Sequence, residues 1–249
     1  MSAQLTPRHR VRGGKTIYGA AVGILMLESR FPRIPGDVGN AATWPFPVHY
    51  KVVRGATPSR VVHEQANDLL DNFITAAEEL VADGVDGITT TCGFLSLMRD
   101  ELARRLPVPV ATSSLMQAPM IERLLRPGKH VGILTIAAAS LTAMHLRAAG
   151  VAEDTPIVGT DNGREFSRAI LNDEAELDVA AAEQDLLDAA TELVDRYPDT
   201  GAVLLECTNM VPYARAVSEH LKLPVFSIHG FVTWFQAGLA PHRFARPDA

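Results

Sequence analysis

Two stretches of this chain repeat one pattern: GITTTCGF at residues 87–94 and AVLLECTN at residues 202–209. Each reads as a buried strand that ends at a cysteine, and a segment with helical spacing follows it, over 95–106 and 211–223. In both copies a Pro-Val pair then opens another predicted strand, 17 residues after the cysteine, from 92 to 109 and from 207 to 224. The sequence therefore predicts two related strand–helix–strand units.

Predicted strands and helices alternate along the rest of the chain, which favours parallel sheets with right-handed crossovers. Strands are expected at 17–27, 87–91, 108–112, 130–136, 156–159, 202–207 and 225–228. Helices are expected at 61–82, 95–106, 115–125, 140–149 (capped by Ser140), 177–196, 211–223 and 231–239. Residues 28–47 are rich in Pro and Gly and predict a long irregular loop, and 161–173 give no clear pattern.

The repeated unit predicts an α/β fold of two pseudo-symmetric lobes, each a parallel sheet flanked by helices, with the active site in the cleft between them. We assign 15–112 together with 226–249 to the first lobe and 113–225 to the second. Residues 1–14 are polar and basic, and no apolar segment follows them, so we expect a disordered start and not a secretory signal.

Composition limits the classes of function. The chain has 249 residues, 47% of them hydrophobic and 21% charged, which is typical of a globular enzyme. A net charge of −6 argues against a nucleic-acid partner, and no apolar run is long enough to span a membrane. The two cysteines are far apart in sequence, so they predict no disulfide framework but a reducing, cytoplasmic location. We expect a small carboxylate as substrate and a homo-oligomer as the assembled state.

Cys92 and Cys207 fall at the carboxyl ends of predicted parallel strands, where ligands bind in such sheets. Each also lies at or just before a helix N-terminus, where exposed N–H groups favour a thiolate and can lower a thiol pKa. A single cysteine beside an apolar strand is most often a small core residue. The matched positions and matched spacing of this pair favour a functional role instead.

The segments GVDGITTTC at 84–92 and LLECTNM at 204–210 resemble the aspartate/glutamate/hydantoin racemase superfamily, the cofactor-independent racemases. The resemblance implies two α/β lobes with the site between them, and it implies that Cys92 and Cys207 are acid/base residues on opposite faces of the substrate α-carbon. The chain departs from members that act on glutamate, which carry Cys-Asn-Thr and Cys-Thr-His where this sequence has Cys-Gly-Phe and Cys-Thr-Asn.

Inversion of a centre next to a carboxylate needs a base on one face, an acid on the other, and donors that stabilise the developing enediolate. The candidate substrate-binding residues near the predicted strand ends or in the long loop are Thr91, Gly93, Phe94, Ser113, Ser114, Thr208, Asn209 and Asn40. For Ser114, helix capping is an equal alternative. Arg30 and Asp37 could read a distal substrate group, although a solvated loop is the simpler interpretation. Glu206 should point to the other side of its strand.

Other chemistries find little support in the sequence. No lysine lies at a predicted strand end in the cleft, as a pyridoxal phosphate enzyme would need. Dinucleotide, Walker, zinc and serine-hydrolase patterns are missing as well, so we expect no cofactor and no metal. Three hypotheses remain. The leading one is a cofactor-independent racemase or epimerase of an amino acid or related small carboxylate, with proton transfer at the α-carbon by two thiols. The alternatives are a decarboxylase or cis–trans isomerase of a dicarboxylate that uses one cysteine, and a two-lobed small-molecule binding protein.

Overall fold

The computed structural model describes residues 13–64, 67–242 and 244, and it contains two four-stranded parallel sheets. The first sheet consists of β1 (Val22–Leu27), β2 (Val48–Val53), β3 (Gly87–Thr90) and β4 (Val110–Ala111). The second consists of β5 (His130–Thr135), β6 (Ile157–Gly159), β7 (Thr200–Leu205) and β8 (Val225–Phe226). Their strand orders, β2-β1-β3-β4 and β6-β5-β7-β8, are equivalent. This confirms the predicted α/β fold of two related lobes.

Helices flank both sheets. They are α1 (Pro58–His63), α2 (Leu70–Asp83), α3 (Arg99–Arg105), α4 (Ala118–Leu124), α5 (Ala143–Ala148), α6 (Phe166–Leu171), α7 (Val179–Arg196), α8 (Ala214–Leu221) and α9 (Ile228–Leu239). Short 3-10 helices cover Ala41–Thr43, Asn67–Leu69, Gly93–Met98, Ser114–Gln117, Ala138–Ser140 and Thr208–Tyr213. Within the described residues, every helix is too short or too polar to cross a bilayer.

The first sheet has an edge strand that the sequence did not predict. β2 pairs with β1 alone and is mostly half-buried, so its residues do not show a clear apolar run. Its polar side chains reach across to α2, where His49 Nε2 lies 2.9 Å from Asp83 and Lys51 pairs with Glu79. The strand therefore combines β pairing on one side with ion pairs to a helix on its outer side.

Several observed elements differ from the predictions. β1 begins at Val22 and not at residue 17, and the helix expected over 61–82 is divided into α1 and α2. The segment 161–173 contains α6. The predicted cap Ser140 closes a 3-10 helix, while Thr142 caps α5 by exchanging hydrogen bonds with His145.

The division into lobes remains a proposal, and the packing of the last helix supports it. α9 places Ile228, Phe231 and Val232 in one buried cluster with Val22 and Ile24 of β1. This contact joins the C-terminal helix to the first sheet, as the assignment of 226–249 to the first lobe requires. The predicted disorder of 1–14 falls almost entirely outside the described residues, since only 13 and 14 are included.

Candidate active site

The two cysteines lie in one cavity. Cys92 follows β3 and precedes the 3-10 helix Gly93–Met98, and Cys207 follows β7 and precedes the 3-10 helix Thr208–Tyr213. Both are free thiols and both are buried, with exposed fractions of 8% and 7%. They line a narrow cavity of about 20 Å³, room for roughly one water molecule. The equivalent strand ends of the two sheets thus meet at one small site.

Both lobes contribute to the cavity wall, and most of the wall is apolar. The apolar lining residues are Leu27, Phe31, Pro58, Val62, Phe94, Ile136, Ile170 and Leu171. Beside the cysteines, the polar lining residues are Arg33, Thr91, Glu206 and Asn209. A wall of this composition suits a small molecule with an apolar body and one or two charged groups.

Four of the predicted substrate-binding residues line the cavity: Thr91, Gly93, Phe94 and Asn209. The other four do not line the cavity, and their side chains form hydrogen bonds to backbone groups. Thr208 Oγ1 donates to the carbonyl of Thr91 at 2.7 Å, which ties the two cysteine segments together.

The remaining three predicted residues serve as caps and anchors. Ser113 Oγ accepts from the N–H of Leu115, and Asn40 Oδ1 accepts from Ala42 N. Ser114 Oγ donates to the carbonyl of Leu205 at 2.8 Å and to that of Glu206 at 3.1 Å. All three are therefore engaged in holding backbone segments next to the site.

The loop after β1 supplies the cation of the site through Arg33, whereas Arg30 lies on the surface, in line with the simpler interpretation. Arg33 Nη1 donates to Asp37 at 2.8 Å, and its guanidinium lies 4.5 Å from the ring centroid of Phe31. The Arg30 side chain is 82% exposed and pairs with Asp173 on the surface. Arg33 and Asp37 are spaced i, i+4 in the sequence, but in an irregular loop this spacing does not fix the direction of their side chains.

Asp37 connects this loop to the second cysteine. Its side chain is 3% exposed, and its Oδ2 accepts from Asn209 Nδ2 at 2.5 Å. That bond orients the amide so that Asn209 Oδ1 accepts from Cys207 Sγ at 3.5 Å. Since an acceptor faces this sulfur, the geometry favours Cys207 as a protonated thiol.

Cys92 is the more easily ionised of the two sulfurs. Burial and the charge of Glu206 raise the pKa of Cys92 to about 12, while the N–H groups of Phe94 and Leu95 and the Arg33 cation oppose the increase. Burial and Glu206 also raise the pKa of Cys207 well above its ordinary value, and the charges of Cys92 and Asp37 add to that effect. The lowered thiol pKa that the helix N-termini suggested is wrong for this cavity, because burial outweighs the backbone donors.

Glu206 is a functional candidate that the sequence placed on the wrong side. It is completely buried and lines the cavity beside both cysteines. The alternation of side chains along β7 does not extend to it, because the strand ends at Leu205. Its Oε2 accepts from Thr135 Oγ1 at 2.7 Å, whereas its Oε1 is buried and has no hydrogen-bond partner within the described part of the chain. Burial raises the pKa of Glu206 to about 7.

The described part of the chain contains no group of three His, Cys, Asp or Glu side chains that could hold a metal ion. The chemistry available in the cavity is therefore that of two thiols, a carboxyl and a guanidinium. A thiolate beside the bound substrate could take a proton from a carbon next to a carboxylate.

Comparisons with known sequences point to one kind of enzyme. No model of a known protein family matches the chain. Dimethylsulfoniopropionate lyase 7 of Emiliania huxleyi (strain CCMP1516) is 31% identical over 217 residues, covering 83% of this chain and 63% of the relative. Dimethylsulfoniopropionate lyase of Durusdinium sp. clade D is 29% identical over 229 residues, covering 86% of this chain and 75% of the relative. The chain thus spans less than two thirds of the length of the Emiliania protein.

Comparisons with solved structures identify the fold. Arylmalonate decarboxylase superposes with a TM-score of 0.57 at 16% identity, covering 90% of this chain and 96% of that one. Picrophilus torridus aspartate racemase gives 0.56 at 12%, covering 91% and 96%. A glutamate racemase isoform from Bacillus anthracis gives 0.56 at 15%, covering 88% and 82%. This chain has the two-lobed α/β fold of these decarboxylases and racemases, as the sequence resemblance implied.

Proposed function

We propose that this protein is a lyase that eliminates dimethyl sulfide from dimethylsulfoniopropionate, leaving acrylate. The observation that carries the proposal is the 31% identity to a dimethylsulfoniopropionate lyase over 83% of the chain. The cavity is compatible with the reaction, because elimination begins as racemisation does, with removal of the proton on the carbon next to the carboxylate.

In the proposed reaction the Cys92 thiolate takes the proton from C2 of the substrate. The C2–H pair becomes the C2=C3 double bond, the C3–S bond breaks, and dimethyl sulfide leaves with the bonding pair. A neutral sulfide is a good leaving group and needs no proton. One base is therefore sufficient, and Cys92 is the better candidate because Cys207 donates to Asn209.

The cavity offers a place for each end of this zwitterion. The Arg33 guanidinium is the cation for the substrate carboxylate, which must be held while negative charge develops. The methyl groups of the sulfonium suit the apolar wall, and its positive charge is attracted by the faces of aromatic rings such as Phe31 and Phe94. No cofactor takes part in this scheme, so activity should survive dialysis against a chelator.

The test is direct. The purified protein is incubated with dimethylsulfoniopropionate, and dimethyl sulfide is measured in the headspace alongside acrylate in solution. We expect the two products in equal amounts from the native protein and a loss of both in Cys92→Ser. Product formation no faster from the native protein than from a buffer blank would refute the proposal.

A racemase or epimerase of a small carboxylate is the second candidate, because both cysteines line one cavity from equivalent strands. A racemase exchanges the α-proton of its substrate with solvent and releases no sulfide. Incubation in D₂O with a panel of amino acids and dicarboxylates separates the two, since α-deuteration without elimination supports the racemase. Loss of carbon dioxide from a malonate derivative would instead support the one-cysteine decarboxylase.

A further inference from the structure

The two carboxyl oxygens of Glu206 differ in their hydrogen bonding. Thr135 donates to Oε2, and Ser114 fixes the backbone carbonyl of the same residue. Oε1 is buried and has no hydrogen-bond partner among the residues that the structure describes. A buried carboxylate oxygen without a donor is costly, so its position calls for an explanation.

Gly93 makes room for that oxygen. A Cβ built on Gly93 would overlap Oε1 of Glu206 and would lie 2.7 Å from the Glu206 carbonyl oxygen. Because Gly93 directly follows Cys92 in the chain, the free oxygen lies next to the backbone of the Cys92 segment. A side chain at residue 93 would separate the carboxyl from the first cysteine.

After the proposed elimination, the proton taken from C2 remains on Cys92. Racemisation consumes and returns one proton, whereas each elimination transfers one from C2 to Cys92 and returns none. Cys92 must lose that proton before the next turnover, although burial and the nearby charge favour its thiol form. A buried thiol therefore needs an adjacent acceptor.

The other polar groups around the cavity are unsuited to this task. The guanidinium of Arg33 has N–H donors and no acceptor atom, and Cys207 already donates to Asn209. Asp37 accepts from Arg33 and Gly39 at Oδ1 and from Asn209 at Oδ2. His145 packs edge-on behind Phe94 and does not line the cavity.

We propose that Glu206 is the proton acceptor that returns Cys92 to its thiolate after each elimination, an inference that rests on the proposed lyase function. The S–H bond of Cys92 breaks, its electron pair stays on sulfur, and the proton forms an O–H bond at Oε1 of Glu206. When acrylate leaves and water enters, the carboxyl passes the proton to water and becomes a carboxylate again.

The electrostatics of the site support this role. Burial raises the pKa of Glu206 from 4.5 to about 7, and the bond from Thr135 opposes that increase. A group with this pKa both accepts and releases a proton near neutral pH. An ordinary surface glutamate would already be ionised and would accept a proton only in acid.

The experiment measures kcat for acrylate formation from dimethylsulfoniopropionate between pH 5 and 9. It compares the native protein, Glu206→Gln and Thr135→Val. We expect native kcat to rise as Glu206 ionises. In Thr135→Val the midpoint should move to higher pH, because the hydroxyl that lowers the Glu206 pKa is gone. In Glu206→Gln the midpoint should disappear and kcat should fall about 10²-fold.

Added imidazole supplies a second readout. At constant pH and ionic strength, kcat of Glu206→Gln should increase with the concentration of free imidazole base, and that of the native protein should not. A purely structural role would move neither the pH midpoint nor this dependence. Circular dichroism shows whether the variants fold. If Glu206→Gln does not fold, the pH midpoint of Thr135→Val alone tests the inference.

Three results would overturn the inference: an unchanged pH profile in Glu206→Gln, an unmoved midpoint in Thr135→Val, or a Glu206→Gln defect that imidazole leaves unaltered. Failure of the proposed function looks different, because the native protein itself would then form no acrylate.

Discussion

The two cysteines occupy equivalent places in the two sheets, yet their surroundings differ. Cys207 donates to an amide that Asp37 holds in one orientation. Cys92 has backbone N–H groups and the Arg33 cation as its favourable neighbours. The two cysteines look equivalent in sequence, but their different neighbours favour Cys92 as the base and Cys207 as a protonated thiol.

Serine substitutions test this division. Because serine keeps the size but has a far higher pKa, Cys92→Ser should lower kcat for dimethyl sulfide release by about 10²–10⁴-fold. Cys207→Ser should retain most of the activity, since elimination needs no second acid. Headspace sulfide measures both, and circular dichroism confirms folding. Equal, complete loss of sulfide release in the two variants would contradict a one-base elimination and show that both thiols are needed.

The coupling of Glu206 to the thiols predicts a change in alkylation. A negative Glu206 raises the pKa of both cysteines, so Glu206→Gln should lower those pKa values. The thiolate fraction at pH 8 then increases, and iodoacetamide should react faster than with the native protein. Glu122→Gln is the matched control, because Glu122 pairs with the exposed His130 and does not line the cysteine cavity. Equal rates in Glu206→Gln and native protein would show that the carboxyl does not act on the sulfurs.

The catalytic candidates differ in how far the sequence could identify them. Cys92 and Cys207 were predictable because a repeated pattern marks both. Arg33 and Arg30 could not be told apart, because an irregular loop has no period that fixes side-chain direction. Glu206 was assigned to the wrong side because strand alternation was extended one residue beyond the end of β7.

The turn after β3 depends on having no side chain at residue 93. In Gly93→Ala the new Cβ would displace the Glu206 carboxyl from its bond with Thr135. We expect a loss of about 1–3 kcal/mol in the free energy of unfolding, measured in urea, and a reduced lyase rate. Gly230→Ala in α9 is the control, because a Cβ there meets nothing within 4 Å. Native stability and activity in Gly93→Ala would contradict this account of the turn.

The loop between β1 and β2 forms part of the cavity wall through Phe31 and Arg33, and Asp37 ties it to Asn209. We expect bound substrate to hold this loop closed. In Cys92→Ser, used to prevent turnover, dimethylsulfoniopropionate should slow tryptic cleavage after Arg33. Cleavage after Arg54, with a side chain that is 80% exposed, should not change. Mass spectrometry of early digests measures both rates, and equal slowing at both sites, or at neither, would argue against a lid.

Secondary structure was predictable where an element is buried on both sides. The strands that precede the cysteines were predicted as buried strands, and they correspond to β3 and β7. β2 was missed because it is a half-buried edge strand whose polar residues pair with α2. The break between α1 and α2 was also missed, since apolar spacing continues across the two helices and does not record where the backbone changes direction.

The two-lobed architecture could be predicted from the repeated sequence pattern. The charges inside the closed cavity could be identified only from the structure. The cavity places a carboxyl of raised pKa inside the core, and this has a cost for the whole fold above neutral pH. In the folded state Glu206 holds its proton to about pH 7, whereas an ordinary glutamate loses it near pH 4.5. Between these values the folded protein binds more protons than the unfolded chain, so this contribution to stability is lost as pH rises through 7.

The last prediction follows from that sign. We compare the free energy of unfolding of Glu206→Gln with that of the native protein at each pH. As the pH rises from 4.5 to 8, the difference should shift by about 3 kcal/mol in favour of Glu206→Gln. The slope should be about 1.4 kcal/mol per pH unit between the two pKa values. His145 works in the opposite direction, because burial lowers its pKa to about 4, but it contributes equally to both proteins and cancels in the difference. The raised cysteine pKa values act only above pH 9. Urea unfolding at several pH values measures the difference, and parallel curves for the two proteins would show that Glu206 is not buried as a carboxyl of raised pKa.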